Sequence, residues 1–122
     1  MTRAVRGAIQ VAENSRQAVE KSAVRLVSEV LRANAITEQQ IVSIIFSLTE
    51  DLTAANTATG LRREGFSGTP LFCTQEPRIE GGMPRVIRGL VTFESLGRRE
   101  TIAVYLEGAE ALRADLARGN RQ

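Results

Sequence analysis

The sequence predicts a mixed α/β (α+β) domain: a small mixed sheet with one long helix packed against it. Two observations carry that reading. One stretch, from Val19 to Leu31, repeats its apolar residues at helical spacing. Around it lie short strand-like runs, at 3–11, 41–48, 70–74, 86–93 and 101–106, separated by turn-forming residues. The order is strand, helix, strand, short helix, strand, turn, strand, strand, which leaves the helices on one face of a single sheet. At 122 residues the chain is one domain, expected over 1–117, with 118–122 as a frayed tail.

Arg3 to Val11 reads as the first strand, with Arg6 beside Gly7, where a backbone can come close to a ligand. Asn14 or Ser15 caps the long helix, and Gln17 stands in capping-box position to Asn14. Val19, Ala23, Leu26, Val27, Val30 and Leu31 form its apolar stripe, and Asn34 is a C-terminal stop. Thr37 to Gln40 reads as a cap with a short helical turn. Ile41 to Leu48 is a nearly continuous apolar run, expected as a buried central strand. Thr49-Glu50-Asp51-Leu52 follows it. Polar residues there either cap the next helix or present ligand groups.

Thr57 to Glu64 reads as a short helix closed by Gly65. Arg62 and Arg63 fall in its last turn, where cations complement the helix dipole. Pro70 to Thr74 is a strand leading to a Gly81-Gly82 turn, and a further strand runs from Val86 through Phe93 to a turn at Gly97. Arg98, Arg99 and Glu100 form a charged loop; Thr101 to Leu106 is strand-like, and 107–116 is short helix or irregular.

Composition removes most catalytic classes. With no histidine, the Ser-His and Cys-His arrangements and His-based metal sites are excluded. One cysteine allows no intrachain disulfide and no zinc site, and fits a reducing cytoplasm. No Walker A or Gly-x-Gly-x-x-Gly sequence is present. A net charge of +2, evenly spread, gives no case for nucleic acid. No apolar run approaches the roughly 20 residues of a membrane helix, and the first residues show no signal-peptide pattern. Every basic residue except Lys21 is arginine, whose planar fork matches carboxylates; a GC-rich genome would produce the same bias.

What remains concentrates between Cys73 and Arg88, where a thiol, the Glu76 carboxylate, the glycine turn and a guanidinium occur together, expected as one hairpin. Arg88 lies in Val86-Ile87-Arg88-Gly89-Leu90-Val91, a mostly buried strand by pattern. A buried guanidinium needs an anionic partner. Either it forms an internal ion pair, with Glu76 the nearest candidate, or it receives a bound anion. Tyr105, the only tyrosine, is either a core residue with one hydrogen bond or a ligand group.

Six short motifs then occur in order: Arg6-Gly7-Ala8; Thr49-Glu50-Asp51-Leu52; Cys73-x-x-Glu76; Gly81-Gly82 with Ile87-Arg88; Val104-Tyr105-Leu106-x-x-Ala109; and Leu112-Arg113-x-Asp115-Leu116. Together, over roughly Arg3 to Leu116, the sequence resembles the small monofunctional chorismate mutases of the trimeric pseudo-α/β-barrel class. The resemblance implies rearrangement of chorismate to prephenate, a step toward phenylalanine and tyrosine, with no cofactor and no metal. A pericyclic shift needs no proton transfer, so a chain without histidine is adequate to it.

By that resemblance Arg88 donates to the breaking ether oxygen, while Glu76 and Cys73 meet the ring hydroxyl. Arg6 grips a substrate carboxylate and Tyr105 hydrogen-bonds nearby. Leu71, Phe72, Ala58 and Leu112 form walls, and Arg62 and Arg113 attract the dianion at the mouth. The pocket is expected between subunits of a homotrimer, with neither nucleic acid nor membrane as partner. Asn56 stands where the family commonly has an aromatic wall residue, and Thr59 where it commonly has a lysine; the loop 63–69 is one residue shorter. These departures imply weaker substrate binding. The alternatives are a trimeric small-carboxylate-binding module without catalysis, and a same-fold enzyme acting on a related cyclic dicarboxylate.

Overall fold

Strands β1 (Thr2–Gln10), β2 (Ile41–Leu48), β3 (Leu71–Gln75), β4 (Val86–Glu94) and β5 (Val104–Leu106) form one sheet in the order β3-β2-β4-β1-β5. Helix α1 (Arg16–Ala33) follows β1, helix α2 (Thr57–Arg63) follows β2, and 3-10 turns occupy Glu38–Gln40 and Ala109–Arg113. The structure is a computed structural model that describes residues 1–97 and 99–113. Arg98 of the charged loop, Asp115-Leu116 of the last motif and the expected tail 118–122 lie outside the described residues.

The long helix forms because its ends are closed and its stripe is buried. Ser15 is the N-cap, its Oγ accepting the Ala18 N–H at 3.2 Å. Asn14 does different work: its Oδ1 accepts the N–H groups of Thr53 and Ala54, so the capping box expected with Gln17 does not form. Asn34 closes the other end by donating from Nδ2 to the Val30 carbonyl at 2.9 Å. Val19, Ala23, Leu26, Val27 and Val30 are buried against the sheet, and Leu31 packs at the margin.

β1 lies antiparallel to β4 and parallel to β5; β2 lies antiparallel to β4 and parallel to β3. The side-chain period of two sorts these strands into a covered face and an open one. Val5, Ile9, Ile44, Phe46, Ile87, Val91 and Phe93 join α1 in the main core. Gly7 and Gly89 stand opposite each other beneath the helix. A Cβ on Gly7 would lie 3.0 Å from Leu26 Cδ1 and from the Val104 carbonyl oxygen. The close approach expected at Gly7 is therefore made by α1, not by a ligand.

Three expectations are corrected. The segment from Cys73 to Arg88 is not a hairpin: β2 lies between β3 and β4. A connection as long as 76–85 can span a strand, and the most apolar strand takes the position between two partners. β2 is not buried on both faces, since Val42 and Ile45 are exposed while Ile44, Phe46 and Leu48 are buried. Its apolar open face is what periodicity reads as full burial. The last strand is short, with only Val104–Leu106 pairing.

Candidate active site

The register aligns a row of side chains across the open face. Thr74 pairs with Ser47, Ser47 with Arg88, Arg88 with Ala8, and Ala8 with Tyr105. Such pairs share one face of a sheet. The next row toward the other end of the strands is Phe72, Ile45, Leu90 and Arg6. Arg88 and Arg6 thus sit on one face, on neighbouring strands, one pleat apart.

Arg88 is not buried as its strand pattern predicted; its side chain is 41% exposed, although Ala8 and Val86 on the same face are buried in the cluster around Tyr105 and Ala109. Its Nε donates to Glu76 Oε1 at 2.5 Å. The internal ion pair therefore exists, but it engages one edge of the guanidinium. Among the described residues both Nη groups of Arg88 lack a partner. Glu76 Oε1 also takes a long contact from Ser47 Oγ at 3.4 Å, and the Glu76 backbone N–H donates to the Leu48 carbonyl at 2.8 Å. Glu76 is thereby fixed to the end of β2 beside Arg88.

The other expected residues divide into two groups. Arg6 is exposed on β1 with no ion pair among the described residues. Tyr105 is 8% exposed and packs with Ala8, Val86 and Ala109, with Met83 and Leu112 against the same cluster. Its hydroxyl makes no hydrogen bond among the described residues. Arg113 ends the 3-10 turn that follows this cluster. By register Arg6 and Tyr105 lie on the same sheet face as Arg88.

Cys73, Leu71, Ala58 and Arg62 do not join them within the protomer. Cys73 and Leu71 pair with Phe46 and Ile44 and pack against the main core, on the covered face. Ala58 is buried in α2, and Arg62 is exposed in its last turn. Phe72 points to the open face and is 66% exposed, at the free edge of the sheet. Asn56 caps α2, its Oδ1 accepting the Ala58 N–H at 2.8 Å. That cap gives the residue a local role at the position where an aromatic was expected.

Ser47, Ile45 and Leu90 were not marked by the sequence. They matter here because pairing places them beside Arg88 and Arg6. No local signal identifies them, since register between distant strands leaves no trace in spacing. A cleft of about 550 Å³ is lined by 49–51 and 76–84 and includes Glu76 but not Arg88. It carries four carboxylates, Glu50, Asp51, Glu76 and Glu80, against the single guanidinium of Arg78, so a dianion is not drawn to it. The anion-attracting groups are on the open sheet face instead.

Comparison with known proteins identifies the family. Residues 2–116 match the family described as chorismate mutase type I. Chorismate mutase AroH of Thermus thermophilus is 36% identical over 118 residues, covering 95% of this chain and 97% of that protein. Chorismate mutase AroH of Bacillus subtilis (strain 168) is 29% identical over 119 residues, covering 96% and 94%. A solved chorismate mutase from Clostridium thermocellum superposes with a TM-score of 0.86 at 32% identity, covering 89% of this chain and 98% of that one. With the profile, the relatives and the fold in agreement over nearly its whole length, the chain belongs to the type I chorismate mutases.

Proposed function

We propose that Arg88, oriented by Glu76, carries the chorismate mutase activity of this chain by stabilising charge on the ether oxygen as the carbon–oxygen bond breaks. The supporting observation is the one-edged ion pair: Glu76 occupies Nε at 2.5 Å and leaves the Nη groups available. The rearrangement moves three electron pairs in one step, with no proton transferred and no covalent intermediate. A protein accelerates it by holding the folded diaxial substrate and by presenting a fixed donor where negative charge develops. These effects must supply at least about 8 kcal/mol. A guanidinium suits the second task because it stays charged when desolvated.

Arg6 grips a carboxylate of the dianion from the neighbouring strand, and Tyr105 donates beside it. Glu76 meets the ring hydroxyl with its second oxygen. Cys73, whose side chain faces the core, contributes through its backbone. Arg113 and Leu112 close the site from the segment after β5. The wall from Phe72, the backbone at Ala58 and Leu71, and the mouth cation Arg62 come from an adjacent subunit, since α2 and the β3 edge lie away from Arg88 within one protomer.

This reading makes the enzyme a homotrimer with sites between subunits. Ile45, Phe72 and Leu90 leave an apolar strip on the open face, each at least 41% exposed. Such a strip is covered in a stable assembly. The single thiol fits a reducing compartment, which supports a cytoplasmic location.

The test is loss of chorismate absorbance in the ultraviolet, followed by acid conversion of prephenate to phenylpyruvate, on purified protein of measured mass. Arg88→Ala is expected to lower kcat/KM by about 10³-fold. Turnover that survives this substitution at the wild-type rate defeats the electrostatic mechanism.

A further inference from the structure

We infer that Asp51 is a positioning residue for the Arg88–Glu76 pair, acting through the backbone at the start of β4. The inference rests on the reading of Arg88 given above. Both carboxylate oxygens of Asp51 accept the Arg85 N–H, at 3.1 and 3.0 Å. Asp51 Oδ1 also accepts the Thr49 hydroxyl at 2.6 Å, and Thr49 Oγ1 in turn accepts the Val86 N–H at 3.0 Å. Two successive amides leading into the strand of Arg88 are thus held by side chains from the end of β2.

Arg85 needs such restraint. Its φ is 53°, in the left-handed region that a residue with a Cβ occupies at a cost. Its carbonyl accepts the Val11 N–H at 2.7 Å, and its Nε donates to the Val11 carbonyl at 2.8 Å. One residue therefore ties β4 to the end of β1, while Asp51 ties it to β2. The Glu76 N–H donates to Leu48, on the same end of β2. Both ends of the 76–85 connection are fixed within four residues of each other, Leu48 to Asp51. The meeting of Glu76 Oε1 with Arg88 Nε follows from that common anchor. A preorganised donor must be held to a fraction of an ångström to remain effective.

The test measures kcat and KM for chorismate with the full-length Asp51→Ala and Asp51→Asn proteins, each at matched folded concentration. Asparagine keeps a carbonyl acceptor for the Arg85 N–H. Gln40→Ala is the stability control: its amide bonds, to the Glu94 carbonyl and the Thr37 N–H, lie at the opposite end of β2. Asp51→Ala is expected to lower kcat by about 10- to 100-fold with KM changed by less than about threefold. Asp51→Asn should recover most of the loss, and Gln40→Ala should lower the melting midpoint with kcat unchanged. If Asp51→Ala does not fold, Thr49→Val is read the same way, since it removes the hydroxyl shared by Asp51 and Val86. Wild-type kcat in the alanine protein, or an equal fall in the alanine and asparagine proteins, overturns the inference. Arg88→Ala run alongside separates the two failures. If it keeps turnover, the reading of Arg88 falls; if it is inactive while Asp51→Ala is normal, only the role of Asp51 falls.

Discussion

Glu76 Oε1 lies 2.5 Å from Arg88 Nε, although the two residues are twelve positions apart in the chain and β2 separates the strands β3 and β4 that flank them. An ion pair this exposed, 41% on one side and 20% on the other, adds little to folding. Its consequence is directional. The carboxylate engages one edge of the guanidinium and leaves its far edge without a hydrogen bond among the described residues, so one contact serves orientation more than stability.

Charge and shape at Arg88 can be separated. Citrulline in its place keeps the planar donors and removes the charge. We expect kcat to fall by at least about 100-fold with substrate binding less affected, measured by single-turnover loss of chorismate. Near-normal kcat in the citrulline protein would assign the effect to hydrogen bonding alone.

Glu76 and Cys73 should respond differently. Glu76→Ala frees the guanidinium and is expected to cost about 100-fold in kcat, with Glu76→Gln closer to 10-fold because an acceptor for Nε remains. Cys73→Ser, at a side chain packed on the core side, should stay within about threefold of wild type and lower the melting midpoint slightly. Loss of activity in the serine protein comparable to that of Glu76→Ala would bring the thiol into the chemistry.

The apolar strip predicts the assembly. Leu90→Glu sets a charge among Ile45, Phe72 and Arg6 on the open face. Light scattering should then give a monomer of 13.3 kDa where the wild type gives three times that mass. Turnover should vanish while the helical circular dichroism persists, since α1 packs on the other face. A trimer that survives the substitution locates the subunit contact elsewhere.

Gly7→Ala tests the closest helix–sheet approach. The added Cβ meets a Leu26 methyl and the Val104 carbonyl at 3.0 Å and Val30 Cγ2 at 3.1 Å. We expect a loss of about 1–3 kcal/mol in urea unfolding. A smaller loss would mean that α1 lifts from the sheet without resistance.

Acid should loosen the contact between the two helices. The hydrogen bond from Arg63, at 2.6 Å, is the main cause holding the Glu20 carboxyl below its ordinary range, with Arg16 adding to it. A carboxylate depressed in the folded state contributes stability above its unfolded pKa of about 4.3, and loses it as pH falls through the lower folded value. Urea midpoints should therefore decline below about pH 4. Arg63→Gln should flatten that decline, and an unchanged slope would remove Glu20 as a contributor.

Much of this protein could be read from residue order. The stripe from Val19 to Val30 specified α1, Ser15 and Asn34 lie at its ends, and short strand-like runs marked each strand. The choice of Arg88 and Glu76 as candidates followed from chemistry: a chain with no histidine has few ways to act on a substrate, and a guanidinium in an apolar strand is one of them. Periodicity and residue type are local, so they survive in the sequence.

Tertiary structure decided the rest. The 73–88 stretch reads as a hairpin because both arms form strands, and only competition among partners for the apolar β2 shows that it separates them. Burial of Arg88 was overestimated for a related reason: a strand pattern reports apolar neighbours, not whether a second layer covers them. The pairing of Ser47 and Ala8 with Arg88 and of Tyr105 with Ala8, and the joint tether of Thr49, Asp51 and Arg85, arise from contacts between segments dozens of residues apart. Long-range register depends on the total packing energy of the sheet, a property no short window contains.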